Sequence, residues 1–400
     1  MKLAWIVPKW PLPADDGARR ATTQLISQLT KLGHEIHLCA LVPESEVIHA
    51  EDAINQLGVK TVQIVRRRTP GAKLHIRNLL TRPWVAITLA PFGTSSMAEE
   101  IAAWKREIGS DAPMVYDGLH TAAWERYAQK ADLPSHRVYR AHNVEADIWW
   151  RAAEQAKLLP KKLFLKLQAA LMDRFERKLT RLSQQTFPVS DADTARFQVL
   201  VPGAKLCTLE IGLAAPVGAL PATMSSKGEM PLLFIGRLDW PPNRDGLRWF
   251  LEKIWLKARE RSKHPLTLTV VGSGDGSWLE KYKELPGLSV LGRVPEVDPH
   301  YAAAAATLVP VFYGSGTRVK AIEASLFRRV CISTEVGVEG IGLVPGKSYI
   351  RAESEEQWIE AVSKLSAEQV RDAGEAAFAT VSERFDPKMI ALRFAGSLAK

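Results

Sequence analysis

An α/β protein of two parallel, doubly wound sheets in tandem is what this sequence predicts, and three observations carry the prediction. The chain has 400 residues, more than one ordinary core of about 100–200 residues holds. Short apolar runs alternate with longer stretches of helical spacing, as strands covered on both faces by helices do. The alternation then restarts after residues 216–227, a linker rich in Ala, Pro, Gly and Ser.

Taken in order, residues 3–8 read as a buried strand. Residues 17–32 follow as a helix, with Ala21, Leu25, Leu29 and Leu32 at helical spacing and Gly33 ending it. Residues 35–41 make a second strand with Ile36, Leu38 and Ala40 on one face, and further strands fall at 60–65, 113–116, 137–141 and 185–189. In the second half, strands are expected at 231–235, 266–271, 288–291, 307–310 and 329–333. Ligands of such sheets bind beyond the C-terminal ends of the strands, so the chemistry is sought there.

Composition narrows the classes. The 46% hydrophobic and 24% charged fractions describe a globular chain. The longest apolar run, residues 301–312, is too short to span a bilayer and contains Pro310. Residues 1–8 show no cleavage site and read as a strand, not a signal peptide. Cys39, Cys207 and Cys331 lie far apart without metal-ligand spacing. No metal or cofactor is therefore expected, and a reducing cytoplasm fits. With 53 Lys and Arg against 44 Asp and Glu, the net charge is +9, which favours anionic partners: nucleotides, phospholipid headgroups or nucleic acid. No nucleic-acid motif accompanies the charge, so that partner is not expected.

Several strand ends carry residues suited to an anionic ligand. Residues 8–20 form a Pro-rich turn that delivers Gly17 to a helix start, where backbone N–H groups face outward. His142 follows the strand at 137–141, and His120 has the same placement after 115–118. Gly236-Arg237 would set a guanidinium fork at a strand end, unless Arg237 merely pairs with Asp239. Val271-Gly272-Ser273-Gly274 runs from a strand into a glycine turn. The richest stretch is residues 310–324, a strand end, then Gly314-Ser315-Gly316, then a helix from near Thr317 with Arg318, Lys320 and Glu323. N–H groups, helix dipole and cations together suit a diphosphate, and a carboxylate two turns in suits ribose hydroxyls. The plain alternative is a capped helix with solvated Arg–Glu or Lys–Glu pairs.

The order and spacing of these pieces, followed by Thr334 and Gly337 to Gly340, resemble the retaining GT-B glycosyltransferases grouped as family 4 (glycosyl transferases group 1) over almost the whole chain. The resemblance implies two Rossmann-like domains facing across a deep cleft: an acceptor-binding domain at 1–212, a linker at 213–230, a nucleotide-sugar-binding domain at 231–385, and a last helix at 386–400 that crosses back to the first domain. It further implies a nucleotide-diphosphate sugar, UDP- or GDP-linked, as substrate. Gly17 would lie beside the donor phosphate and sugar, with Ser315, Gly316, Thr317, Arg318 and Lys320. His142 would meet the sugar near its reacting carbon, Arg237 the diphosphate and Glu323 the ribose. Gly272, Gly292, Arg293 and Val294 would contact the nucleoside. Two positions depart from the pattern: Ser315 stands where the family has its first glutamate, and the lysine usual after the Gly-Arg pair is missing from 239–244. Arg318 or Lys320 would then supply that charge. Asp191-Ala192-Asp193 reads as a helix start, so metal-independent transfer to a cell-envelope or lipid-linked saccharide is expected. The competing readings are a nucleotide-sugar epimerase and a catalytically weak binding homologue.

Residues 151–181 carry nine Lys or Arg against three acidic residues, interleaved with leucines, and should be helical. Such a segment either packs its apolar stripe on the first domain, the reading preferred here, or lies on an anionic membrane surface. Arg66, Arg67 and Arg68 with Lys73, Arg77 and Arg82 make a second basic cluster.

Overall fold

In the computed structural model, which describes residues 1–14, 17–68, 81–216, 218, 228–314 and 318–399, the chain forms two compact units. The first comprises Met1–Gly212 with Pro387–Lys400, the second Leu213–Asp386. In the first, β1 (Lys2–Val7), β2 (Glu35–Pro43), β3 (Thr61–Arg67), β4 (Met114–Asp117), β5 (Arg137–Ala141) and β6 (Gln185–Pro188) form a parallel sheet in the order β3-β2-β1-β4-β5-β6. In the second, β7 (Met230–Ile235), β8 (Leu266–Val271), β9 (Leu288–Gly292), β10 (Ala306–Val309), β11 (Val330–Ser333) and β12 (Ile350–Arg351) run parallel in the order β12-β11-β10-β7-β8-β9. Numbered within each unit, the two orders are the same. Each sheet reverses its winding beside its first strand, between β1 and β4 and between β7 and β10, where open α/β sheets hold their ligands.

The central strands are apolar on both faces because helices cover both, whereas the edge strands β3 and β9 are only partly buried. Leu3, Trp5 and Val7 of β1 pack with Ile36, Leu38 and Ala40 of β2 on one side of the first sheet. Ala4 and Ile6 pack with Cys39, Leu41, Met114 and Tyr116 on the other. The helix Pro387–Leu398 belongs to this unit: Phe394 lies 5.5 Å from Trp5 and 4.8 Å from Phe187, and Arg393 Nη1 donates to Glu210 Oε2 at 2.7 Å. Nearly all of the linker stretch 216–227 lies outside the described residues.

The strands expected from sequence appear within two residues of their expected bounds. The two-residue β12 carries no pattern that would reveal it. The basic segment at 151–181 is not one helix but parts of two, Glu145–Gln155 and Leu159–Leu182. Pro160 explains the break, since a proline lacks the N–H that a helix interior needs and is accommodated in a first turn. Asp191-Ala192-Asp193 does open a helix, Asp191–Leu200, capped by Ser190.

In the second unit the helix Pro241–Trp249 lies directly on the chain leaving β10. Gly246 permits the approach, because a Cβ there would overlap the Pro310 carbonyl oxygen. Phe312 packs edge-on against Trp249 at 4.8 Å and the Tyr313 hydroxyl donates to Asp245 Oδ2 at 2.5 Å. These contacts hold residues 310–314 beyond the strand end. Gly246→Ala should therefore cost about 1–3 kcal/mol by overpacking, read as a lower denaturant midpoint. An unchanged midpoint would show that this contact does not constrain the loop.

Candidate functional site

In the first unit, four donors converge on one carboxylate at the winding reversal. Asp117 ends β4 and is fully buried. Its Oδ2 accepts from Trp5 Nε1 of β1 at 3.1 Å and from Thr22 Oγ1 of the helix Gly17–Lys31 at 2.8 Å. Its Oδ1 lies 2.8 Å from Arg140 Nη1 of β5 and 2.5 Å from His142 Nε2. Burial alone would raise the Asp117 carboxyl; the charges of Arg140 and His142, with hydrogen bonds from His142 and Thr22, instead hold it well below the ordinary carboxylate range. The ionised group only accepts, so Nε2 of His142 carries its proton toward Asp117 and Nδ1 is the nitrogen left for a ligand.

His142 lines an open pocket with Val7, Lys9, Arg19 and Thr22. Gly17, the first residue of its helix, adjoins the Ala18 of that lining. The turn after His142 is fixed from behind by Glu176, which accepts from Tyr139 Oη at 3.0 Å and from the backbone N–H groups of Glu145 and Ala146 at 3.1 and 3.2 Å. Burial raises Glu176 to about 8 and Glu145 to about 7. His120 stands apart from this arrangement: it packs 5.4 Å from Phe92, and burial together with the Arg67 charge lowers it to about 4.

In the second unit, the ends of β7, β8 and β9 are knitted by their backbones. Gly236 N donates to Val271 O at 3.1 Å and Gly272 N to Gly292 O at 2.8 Å. Arg293 is exposed just beyond and Val294 half-buried. Arg237 makes a two-pronged pair with Asp239, at 3.0 and 2.7 Å, and remains 65% exposed. Lys320 comes to the same strand end from the helix Val319–Leu326: its Nζ donates to Asn243 Oδ1 at 2.6 Å, while Asn243 Nδ2 donates to Arg237 O at 3.0 Å. A Cβ on Gly236 would stand 2.7 Å from Asn243 Nδ2 and 3.1 Å from Lys320 Nζ. Burial, then the Arg318 charge, lowers Lys320 to about 7, against the opposing influence of Cys331 and Glu323. Arg318 Nη2 bonds Gly314 O and Glu339 Oε2, each at 3.1 Å. One turn past Lys320, Glu323 Oε2 accepts from the buried Tyr301 hydroxyl at 3.1 Å. Thr334 Oγ1 bonds Val311 O and receives Gly337 N at 3.0 Å, bracing the same loop.

Within the second unit, then, Arg237, Lys320, Gly272 and Gly292 gather at adjoining strand ends, with Arg318 and Glu323 flanking Lys320. Ser315, Gly316 and Thr317 lie outside the described residues, as do Lys73 and Arg77 of the second basic cluster. Of the rest, Arg66 donates to Pro43 O and Glu46 O, Arg67 lies over Phe92 and Arg82 over Tyr127, while Arg68 is exposed. Sequence reasoning missed Asp117, Thr22, Arg140, Asn243 and Tyr301. Asp117 had a readable signal, an acid closing an apolar strand just before Gly118; the others become visible only through the partners they touch.

Residues 230–368 match the family model described as Glycosyl transferases group 1. Among curated proteins, the "Uncharacterized 44.6 kDa protein in cps region" of Klebsiella pneumoniae is 22% identical over 169 residues, which is 40% of this chain and 43% of that protein. The match thus spans less than half of that relative. Among solved structures, HepE (Alr3699) of Anabaena in complex with UDP and glucose aligns with a TM-score of 0.66 at 13% identity, over 100% of this chain and 99% of its own. WaaG, a glycosyltransferase involved in lipopolysaccharide biosynthesis, aligns with a TM-score of 0.63 at 16% identity, over 98% of each chain. At such identities the structural likeness establishes the fold, two parallel α/β sheets in the GT-B arrangement.

Breaking the Asp117 cluster leaves the guanidinium of Arg140, 1% exposed, without its carboxylate. Asp117→Ala should destabilise by about 3–5 kcal/mol, measured by denaturant unfolding. Because the folded carboxyl is held low, its contribution is complete above about pH 4 and is lost as pH falls through the folded value. Wild-type stability should accordingly fall more steeply in acid than that of Asp117→Asn. Parallel acid profiles for the two would contradict the assignment.

Proposed function

We infer, from a chain whose residues 230–368 form a glycosyl transferases group 1 domain of family 4 and whose fold is GT-B, that it moves a hexose from a nucleotide-diphosphate donor to a saccharide or lipid-linked acceptor of the cell envelope. The donor is UDP- or GDP-linked, the anomeric configuration is retained, and no metal takes part. The observation that carries this reading is the position of Lys320 Nζ, against Asn243 at the Gly236-Arg237 strand end. A diphosphate lying over β7 would meet Lys320 and Arg237, with Arg318 at the start of the same helix.

As the bond from the anomeric carbon to the diphosphate breaks, its electron pair stays on the phosphate oxygen. Preorganised cations and N–H groups stabilise that charge better than water would. The acceptor hydroxyl forms the new bond on the same face of the sugar and yields its proton to the departing oxygen. Glu323, oriented by Tyr301, takes the ribose hydroxyls, and Gly272, Gly292, Arg293 and Val294 take the base. In the first unit, Gly17 and His142 serve the donor sugar, with Asp117 fixing the His142 tautomer. The UDP and glucose held by HepE support the donor class. The cps region of the Klebsiella relative and the lipopolysaccharide role of WaaG support an envelope acceptor.

The lowered Lys320 gives the reading a pH signature. Its ammonium is charged below about 7 in the ligand-free protein, and a bound diphosphate favours the charged form. Binding must therefore take up a proton above that pH, so donor affinity should weaken by up to about tenfold per pH unit. Calorimetric titration of UDP and GDP in EDTA, below and above neutrality, reads this directly. One nucleotide should bind, and Lys320→Met should weaken it in acid and flatten the pH dependence. The reading fails if neither nucleotide binds, if Mg²⁺ is needed to restore binding or turnover, or if Lys320→Met and Arg318→Ala both leave affinity unchanged.

A further inference from the structure

The helix Leu159–Leu182 uses only part of its length for packing. Its buried positions, Gln168, Ala169, Met172, Phe175, Glu176, Leu179 and Thr180, all lie from the third turn onward. Before them, Leu158, Leu159, Leu163 and Leu167 are 69%, 67%, 59% and 49% exposed. Leu159, Leu163 and Leu167 recur every four residues and so form one stripe. Leucines left in water at this spacing are unlike the scattered apolar residues of an ordinary surface.

The charge around the stripe is of one sign. Residues 157–167 contain Lys157, Lys161, Lys162 and Lys166 and no acid. None of the four has an ion-pair partner among the described residues, whereas Arg177 of the same helix pairs with Asp173 at 2.7 Å. Residues 84–87, ahead of the helix Ser95–Ile108, touch this helix at its buried side, where Ile87 N donates to Gln168 Oε1 at 2.8 Å. Lys162 and Lys166 stand three residues after Leu159 and Leu163 and flank the stripe; leucines bordered by lysines without an acid match the boundary between acyl chains and anionic headgroups. A second copy of the chain fits less well, since a two-fold contact would bring like lysines together.

We propose that this face, the exposed leucine stripe at the start of the helix with Lys162 and Lys166 beside it, docks on an anionic lipid surface. The leucines enter the headgroup boundary while the lysine stems reach back to lipid phosphates. Among the described residues no helix is long and apolar enough to cross a membrane, and the mode proposed is peripheral. The inference goes beyond the transfer reaction and rests on exposed side chains alone.

Co-sedimentation with vesicles of phosphatidylcholine, alone or mixed with phosphatidylglycerol, tests it on the full chain. The bound fraction should rise about tenfold or more with the anionic lipid and fall as salt is raised. Lys162→Glu with Lys166→Glu, and separately Leu163→Glu with Leu167→Glu, should each abolish that gain. None of the four positions is buried, and unchanged circular dichroism with unchanged nucleotide binding would show that the variants are folded and the donor site intact. Equal partition into both vesicle types, or undiminished binding by both variants, overturns the proposal. So does a dimer that both variants dissolve without any lipid dependence. Failure of nucleotide binding with vesicle binding intact would count against the transferase reading alone.

Discussion

Asp117 is the point on which the first unit is organised. Its carboxylate is shut away from water and remains ionised only because β1, the first helix and the β5 end each aim a donor at it. A buried pair of this kind contributes little net stability compared with apolar packing, but removing either partner strands a charge and is expensive. Its value is positional. With both oxygens occupied, Trp5, Thr22, Arg140 and His142 cannot move independently, and the imidazole is presented at the strand ends in one tautomer. Glu176 completes the support by holding the N–H groups of the turn that follows His142.

The second unit repeats the strand order and reverses the electrostatics. Where the first sheet closes its winding reversal around an anion, the second gathers cations: Arg237 from the end of β7, with Arg318 and Lys320 from the helix after β10. Topology makes both places available, since crossovers leaving opposite sides of the first strand open a gap beyond it. Side chains then decide their use. A site filled by its own carboxylate presents a histidine; in the second unit Arg237 and Arg318 each meet a carboxylate, Asp239 and Glu339, and Lys320 meets the neutral Asn243.

Most of the fold was legible because parallel strands buried on both faces must be short and uniformly apolar, and their helices amphipathic. That pattern placed every strand but β12, which is too short to carry one. The break before Leu159 was legible in Pro160 but was outweighed by the run of basic and apolar residues around it. The sites were legible where they follow chain order, as with His142 after its strand or the Gly-Arg pair after β7. They were illegible where they depend on contacts between distant residues. Nothing in residues 239–244 announces that Asn243 will receive the ammonium of Lys320, 77 positions later.

That contact bears on the lysine missing after the Gly-Arg pair. Charge at a site belongs to a place, not to a position in the chain. The helix Pro241–Trp249, pressed on the chain leaving β10 through Gly246, brings Asn243 beneath the end of β7. The helix Val319–Leu326 reaches that spot from the other side of the winding reversal. A lysine there is held at a loss in the empty protein: burial and Arg318 both disfavour its charge, lowering it to about 7. Under the proposed reading a diphosphate would reverse both effects, supplying negative charge where solvent was withdrawn. What disfavours the Lys320 charge without a ligand would then favour binding of an anion. It also explains why an amide suits position 243 here, since Asn243 accepts from the ammonium without cancelling the charge that the anion would meet.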